Sequence, residues 1–152
     1  MVFREHSEGA GPYFRDQWVG RGAAQGDLDQ DGDLDIVVVH HHRAVAVLLN
    51  ESQQSNHSLR IHLVGRLSNR SAINAQARIR FDGPAPSGGQ RELLREIIGG
   101  GSYLSASSDE LIVGFPKDCS PTELEVRWPS GTVSNLRDLR VGQEMRIFEP
   151  VH

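Results

Sequence analysis

The chain has 152 residues, of which 38% are hydrophobic and 6% aromatic, and its formal net charge is −4. This size suits one medium domain, or a small domain with part of another, and an acidic balance without any Lys/Arg cluster argues against a nucleic-acid partner. The single cysteine, Cys119, excludes an internal disulfide framework, and no apolar run approaches the roughly 18 residues of a transmembrane helix. The 16 glycines and 7 prolines predict many turns and few helices.

The N-terminal segment is polar and rich in glycine, with isolated apolar positions at Phe3, Tyr13, Phe14 and Trp18. It contains no apolar signal core, so the chain as written is not expected to be exported by itself. We expect instead that it forms the C-terminal part of a longer product.

Five aspartates follow in the stretch GDLDQDGDLDIVVV, which runs from Gly26 to Val39. They take positions 1, 3, 5, 7 and 9 of a loop in which Gly32 stands at position 6: Asp27, Asp29, Asp31, Asp33 and Asp35. A hard cation takes about six to eight oxygen ligands, and alternating carboxylates supply them as the chain wraps around it. We therefore predict a Ca2+ site formed by these aspartates, in which position 7 contributes its backbone carbonyl and the glycine allows the sharp turn.

Three other interpretations fit the loop less well. An EF-hand requires a bidentate glutamate at position 12, where this chain has Val38. A solvated acidic turn without an ion leaves five like charges repelling one another at short range. A phosphotransfer site built on an Asp-x-Asp pair normally follows a buried apolar strand, whereas here the apolar run comes after the aspartates.

The apolar run after the loop predicts two short strands, at about 35–40 and 44–49, with a turn at His41–Arg43. The run HHH offers a transition-metal pair if His40 and His42 share a strand face, although an exposed turn explains it better. The segment Glu51–Ser58 has no apolar residue and predicts a linker.

Beyond the linker, short segments of alternating apolar and polar residues are separated by turn signals. The segments are LRIHLVG, AQARIRF, RELLREI, DELIVGF, TELEVRW and EMRIFE. They predict an antiparallel β-sandwich or barrel, with RELLREI as a strand rather than the helix that its propensity also allows. In VRWPSGTV we predict a hairpin whose Trp128 fills the core.

No catalytic motif is complete. GRGAAQG matches the dinucleotide-binding pattern G-x-G-x-x-G except at its last position, Gln25, and no strand is predicted before it. GGGSY matches the nucleophile elbow G-x-S-x-G at Gly100 and Ser102 but has Leu104 at the final position, so Gly99–Gly101 are expected to form a bulge or bend in a sheet. Neither motif therefore predicts a catalytic or dinucleotide-binding site.

The segment GRGAAQGDLDQDGDLDIVVVHHHRAVAVLLN resembles an FG-GAP/VCBS-type β-propeller repeat over about residues 18–50. In that family the D-x-D-x-D-G-x-x-D loop binds calcium between the strands of a blade. The resemblance implies a partial propeller blade at residues 1–52 with a structural Ca2+ ion. Because one blade leaves unpaired sheet edges, it is expected either to belong to a longer propeller chain or to pack on the domain that follows.

Residues 56–149 are similar to the ASPIC/UnbV domain found at the C-terminus of cartilage acidic protein-like proteins and in many bacterial secreted proteins. The segments HSLRIHLVGRLSNRSAINAQARIR, GGGSYLS and LEVRWPSGTVSNL carry the resemblance, which implies a second domain at residues 56–150. The sequence departs from the family at Leu59, where an aromatic residue is usual, at Asn74, where glycine is usual, and at IVGF, where FGLG is usual. Asparagine is the next best residue at a positive φ, so the turn at Asn74 can still form.

Together the two resemblances imply an all-β, calcium-binding and non-enzymatic module that is secreted or displayed at a cell surface in its full-length context. Its function would be adhesion to a protein or a glycan. Two alternatives remain open: an accessory to an enzyme in a biosynthetic or secreted assembly, and a truncated remnant of a larger propeller protein.

Overall fold

The computed structural model describes residues 3–5, 7–51, 57–83 and 92–151. Within these ranges, two short 3-10 helices (Ser7–Gly9 and Pro12–Arg15) precede ten strands that form three sheets. The strands are β1 (Gly20–Gly26), β2 (Asp35–His40), β3 (Ala46–Leu48), β4 (His57–Val64), β5 (Gln76–Asp82), β6 (Glu92–Glu96), β7 (Leu111–Phe115), β8 (Ser120–Arg127), β9 (Val133–Arg137) and β10 (Glu144–Phe148). The predicted all-β class is confirmed.

The first sheet has the order β1-β2-β3 and is antiparallel throughout. The β-branched run after Asp35 forms β2, as predicted, because such side chains fit a pleated sheet. The chain reverses in the predicted turn, where His42 has a φ of 53°. The following strand, expected at 44–49, is limited to Ala46–Leu48.

The glycine-rich strand β1 was not expected from any apolar pattern, since its sequence is GRGAAQG. It pairs with β2 from Gly20 to Gly26, with an irregularity before Gly22. A Cβ atom at Gly22 would collide with Ser105 Oγ and with the backbone carbonyl of Tyr103. Glycine is therefore required where another backbone segment approaches the strand closely.

The other two sheets, β10-β4-β7 and β6-β5-β8-β9, pack face to face and share one hydrophobic core. The rings of Phe81 in β5 and Phe115 in β7 meet across the two sheets with their centroids 5.9 Å apart. The predicted alternation is confirmed, because the inward residues of β4 and β5 are all buried: Leu59, Ile61, Leu63, Ala77, Ile79 and Phe81. The sandwich follows from this alternation, since each strand hides one face and exposes the other.

One pairing differs from the antiparallel expectation, because β10 runs parallel to β4. The preceding strand, β9, is an edge strand of the four-stranded sheet. The chain must therefore cross between sheets before β10, and such a crossover can deliver it parallel to its neighbour.

Three smaller predictions have clear outcomes. RELLREI forms a strand, β6, and Gly99–Gly101 lie beyond its end rather than within the sheet.

VRWPSGTV forms the predicted hairpin between β8 and β9. Its Trp128 is 3% exposed and donates a hydrogen bond from Nε1 to Ser134 Oγ at 2.9 Å. Of the predicted linker, residues 52–56 lie outside the described ranges, and His57 and Ser58 open β4.

Candidate metal centre

The aspartate loop connects the end of β1 to the start of β2, and its side chains turn back onto its own backbone. Asp29 Oδ1 accepts a hydrogen bond from the Asp31 amide at 3.3 Å, and Asp31 Oδ1 accepts one from the Asp33 amide at 2.9 Å. Asp27 Oδ2 accepts one from the Gly32 amide at 3.1 Å. The φ of Gly32 is 94°, a left-handed conformation that explains the glycine at position 6.

Asp35 closes the loop from its position at the head of β2, where it is only 1% exposed. Its Oδ2 accepts a hydrogen bond from the Leu28 amide and its Oδ1 one from the Asn50 amide, each at 2.8 Å. One carboxylate thus ties the start of the loop to the segment that leaves β3. These two bonds compensate for burying a charged side chain beside an apolar strand.

Three of the five predicted ligands come together. The carboxylate oxygens of Asp27, Asp29 and Asp35 lie within 4.8 Å of one another, whereas Asp31 and Asp33 lie in the same loop outside this group. The Asp27 side chain is 0% exposed, and its Oδ1 has no hydrogen-bond partner among the described residues. A buried carboxylate oxygen without a donor is unfavourable unless a cation takes the donor's place.

The donor set fits a hard cation, because the grouped side chains are all carboxylates, the ligands that Ca2+ and Mg2+ prefer. The pKa of Asp29 is raised above its ordinary value, first by partial desolvation in the loop and then by the charges of Asp31, Asp35 and Asp27. The hydrogen bond from the Asp31 amide lowers this pKa but does not outweigh them. A bound divalent cation would relieve the repulsion.

Arg60, in β4, brings a positive charge to the loop from a distant part of the sequence. Its Nη1 lies 3.4 Å from Asp27 Oδ2, and its Nη2 lies 3.1 Å from Glu144 Oε2. Arg60 therefore offsets part of the loop's negative charge. It also connects the loop to the outer face of the sheet β10-β4-β7. No local sequence signal identifies it, because its partners are 33 and 84 positions away along the chain.

A profile of the family described as ASPIC and UnbV matches residues 65–152. The chain belongs to this family. No match is found among curated proteins. Within the described ranges, no helix is long and apolar enough to cross a membrane.

The UnbV domain, as it folds, begins before the matched segment. The match starts at Gly65, whereas β4 ends at Val64 and its Leu59 and Ile61 are completely buried in the core of the sandwich. The aspartate loop precedes the match, so membership of the UnbV family carries no information about the metal site.

The UnbV domain also covers the free edge of β1, through the loop that contains GGGSY. Ser102 Oγ accepts a hydrogen bond from the Ala23 amide at 3.3 Å, and Ser107 Oγ accepts one from the Gln25 amide at 3.2 Å. The Ser108 amide donates to the Gln25 carbonyl at 2.9 Å. The first sheet therefore packs on the domain that follows it, and these bonds satisfy an edge that would otherwise be open.

Glu149 of the UnbV domain was not singled out by any sequence pattern. Its side chain is completely buried and accepts hydrogen bonds from the amides of Arg66, Leu67 and Ser68 and from the hydroxyls of Ser68 and Ser130. Burial alone would raise the pKa of Glu149, but the bonds from Ser130, Ser68 and Arg66 outweigh it and lower the pKa to about 2. Two segments that carry the family resemblance, GRLSN and WPSG, thus meet at this carboxylate.

The histidine run does not form a transition-metal pair. His40 is buried, and its Nε2 lies 2.8 Å from the Tyr13 hydroxyl while its Nδ1 lies 2.9 Å from the Ala44 carbonyl. Both ring nitrogens are therefore engaged within the protein, whereas His41 and His42 lie in the exposed turn.

Proposed function

We propose that the chain is a calcium-binding, non-enzymatic module for adhesion to a protein or a glycan, secreted or displayed at a cell surface as part of a longer propeller chain. In this proposal, β1–β3 form an FG-GAP/VCBS-type blade and the Ca2+ ion is structural. The observation that carries the proposal is the buried, unpartnered Oδ1 of Asp27 beside the carboxylates of Asp29 and Asp35.

The proposed ion acts on the fold rather than on a substrate. Asp27 directly follows β1 and Asp35 opens β2, so an ion held by both carboxylates joins the two strands. The first sheet needs such a contribution, because none of its described residues belongs to the buried hydrophobic core. Its stability then depends on hydrogen bonds, ion pairs and the metal.

The surface of the first sheet supports a binding role. Val45, Val47 and Leu49 alternate along one face around β3, and Val39 lies on the same face of β2; all four are about half exposed. Apolar side chains grouped on an exposed sheet face are typical of surfaces that meet another protein or another blade. The hydroxyl of Ser102 and the ring of His40, which are candidates for chemistry, are both engaged in holding the first sheet in place.

Calcium titration calorimetry tests the metal assignment. The wild-type chain is expected to bind Ca2+ saturably, and Asp27→Asn is expected to weaken binding about tenfold or more, because the affinity of such loops depends on the number of charged ligands. Asp33→Asn is the matched control, since it makes the same charge change in the same loop at a side chain outside the carboxylate group. No saturable binding by the wild type, or an equal loss in both variants, would contradict the proposal.

Chelation is expected to loosen the first sheet and to leave the sandwich intact. Removing the ion withdraws stabilisation from residues 20–50, whereas residues 59–149 keep their buried core. Limited proteolysis with and without EDTA, with the fragments identified by mass spectrometry, measures the difference. Equal resistance of both regions under both conditions would count against a structural ion.

A further inference from the structure

We propose that the outer face of the UnbV domain carries a site for an acidic sugar, bearing either a carboxylate or a sulfate ester. On this face Arg146 of β10 stands in register with His62 of β4. Arg70 and Ser71 approach from the loop after β4, and these side chains line a cleft of about 360 Å3. The inference rests on the proposed binding function and names its ligand class.

The cleft contains two guanidinium groups without an acidic partner. Neither Arg70 nor Arg146 forms an ion pair with a carboxylate in the described part of the chain. Asp109 is the acidic member of the lining, and the nearby Glu110 Oε1 lies 3.2 Å from His62 Nε2. In a chain of net charge −4, two unpaired guanidiniums at one cleft mark a place for an external anion, which each can bind with two parallel hydrogen bonds.

The loop that presents Arg70 is held firmly by its own hydrogen bonds. The Arg70 carbonyl accepts a bond from the Gly65 amide at 3.0 Å. The Asn69 side chain bonds both the amide and the carbonyl of Ile73, at 2.8 and 3.0 Å. The amides at the start of the loop are anchored on Glu149. A ligand therefore meets a preorganised backbone and loses little affinity to loop ordering.

The chemistry of the lining favours a sugar over a bare ion. Phe148 lines one side of the cleft, and the Arg66 guanidinium lies 4.8 Å over its ring. An acidic sugar offers an anionic group to the guanidiniums, hydroxyls to Ser71 and an apolar C–H face to Phe148. The volume is at the lower end of the range for ligand sites, about 300 to 1,000 Å3, so it suits a short glycan segment rather than a long chain. An extended polyanion would also meet the net negative charge of the remaining surface.

The test measures binding of three probes to the wild-type chain by calorimetry at low salt: a heparin tetrasaccharide, tetragalacturonate and inorganic sulfate. At least one oligosaccharide is expected to bind, and the Arg70→Gln/Arg146→Gln variant is expected to lose about tenfold in affinity or more. Arg43→Gln/Arg137→Gln is the matched control, because it removes the same charge at exposed positions away from the cleft and should bind as the wild type does. Equal thermal midpoints establish that the variants are folded, and Arg146→Lys, which keeps the charge but loses the planar fork, should show an intermediate loss.

Several outcomes would overturn the site. The first is that the wild type binds neither oligosaccharide. The second is that the two double variants lose affinity equally, and the third is that sulfate alone binds as tightly as the oligosaccharides. Linear polyphosphate bound with the same affinity and the same loss in the cleft variant would overturn the sugar assignment. Each titration is repeated in EDTA and with Asp27→Asn, because sugar binding that persists there separates the cleft from the calcium proposal.

Discussion

Glu149→Gln is expected to lower the free energy of unfolding by about 3–5 kcal/mol, a large effect for one side chain. The carboxylate accepts five hydrogen bonds from three amides and two hydroxyls, and it is completely buried. The three amides all donate to Oε2 and the two hydroxyls donate to Oε1, so glutamine can keep one oxygen as the acceptor for the amides. Its NH2 group then faces the two hydroxyl donors, and the negative charge that strengthens all five hydrogen bonds is lost. The thermal midpoint should fall by on the order of 10 °C.

Glu144→Gln provides the control, because it makes the same substitution at the start of β10. Its side chain is 54% exposed and pairs with Arg60 and His62 at the surface. Exposed ion pairs contribute about 1 kcal/mol or less, so this variant should unfold close to the wild type. Urea unfolding followed by tryptophan fluorescence compares the two, and similar small losses in both variants would contradict a stabilising role for Glu149.

The pH dependence of stability gives a second test of Glu149. Its pKa is lowered from the ordinary 4.5 to about 2 in the folded chain, so its contribution is fully present above pH 4.5 and is lost as the pH falls towards 2. Glutamine does not titrate, and the stability of Glu149→Gln should therefore fall less steeply than that of the wild type across this window. If the stability of the two proteins fell equally steeply between pH 4.5 and 2, the lowered pKa of Glu149 would be contradicted.

The strands of the sandwich were predictable because burial alternates locally along each of them. Leu59, Ile61 and Leu63 point inward at every second position, so the pattern is complete within one short segment. The order of the aspartates around Gly32 is local in the same way, and for this reason the spacing of these residues is enough to indicate a cation loop.

The remaining features depend on residues that are far apart in the sequence. β1 has no apolar signal, and it becomes a strand because β2 and the segment around Ser105 lie against it. Arg60 meets Asp27, and Glu149 meets Arg66, only after the sheets have assembled. Such contacts leave no spacing pattern in one sequence, so propensity and periodicity cannot predict them.

Asp35→Ala is expected to unfold the first sheet whether or not Ca2+ is present. Alanine leaves the Leu28 and Asn50 amides without their acceptor, at a cost of about 1–3 kcal/mol for each group that stays buried. The sheet has little to offset this loss, since its described residues lie outside the hydrophobic core. Peptides from residues 20–50 should then exchange their amide hydrogens rapidly in calcium and in EDTA alike, while peptides from β4 and β5 stay protected.

Asp29→Ala separates the role of the ion from that of the hydrogen bonds. Asp29 belongs to the same carboxylate group as Asp35, but it is exposed and accepts one long bond, from the Asp31 amide at 3.3 Å. In EDTA, the Asp29→Ala variant should exchange the amide hydrogens of the first sheet as fast as the wild type does. In Ca2+, the variant should lack the slower exchange that the ion produces in the wild type. Asp35 thus contributes to the fold before any ion binds, and Asp29 contributes only through the ion. If Asp35→Ala exchanged like Asp29→Ala in EDTA, the hydrogen bonds of Asp35 would add little and the metal alone would hold the sheet.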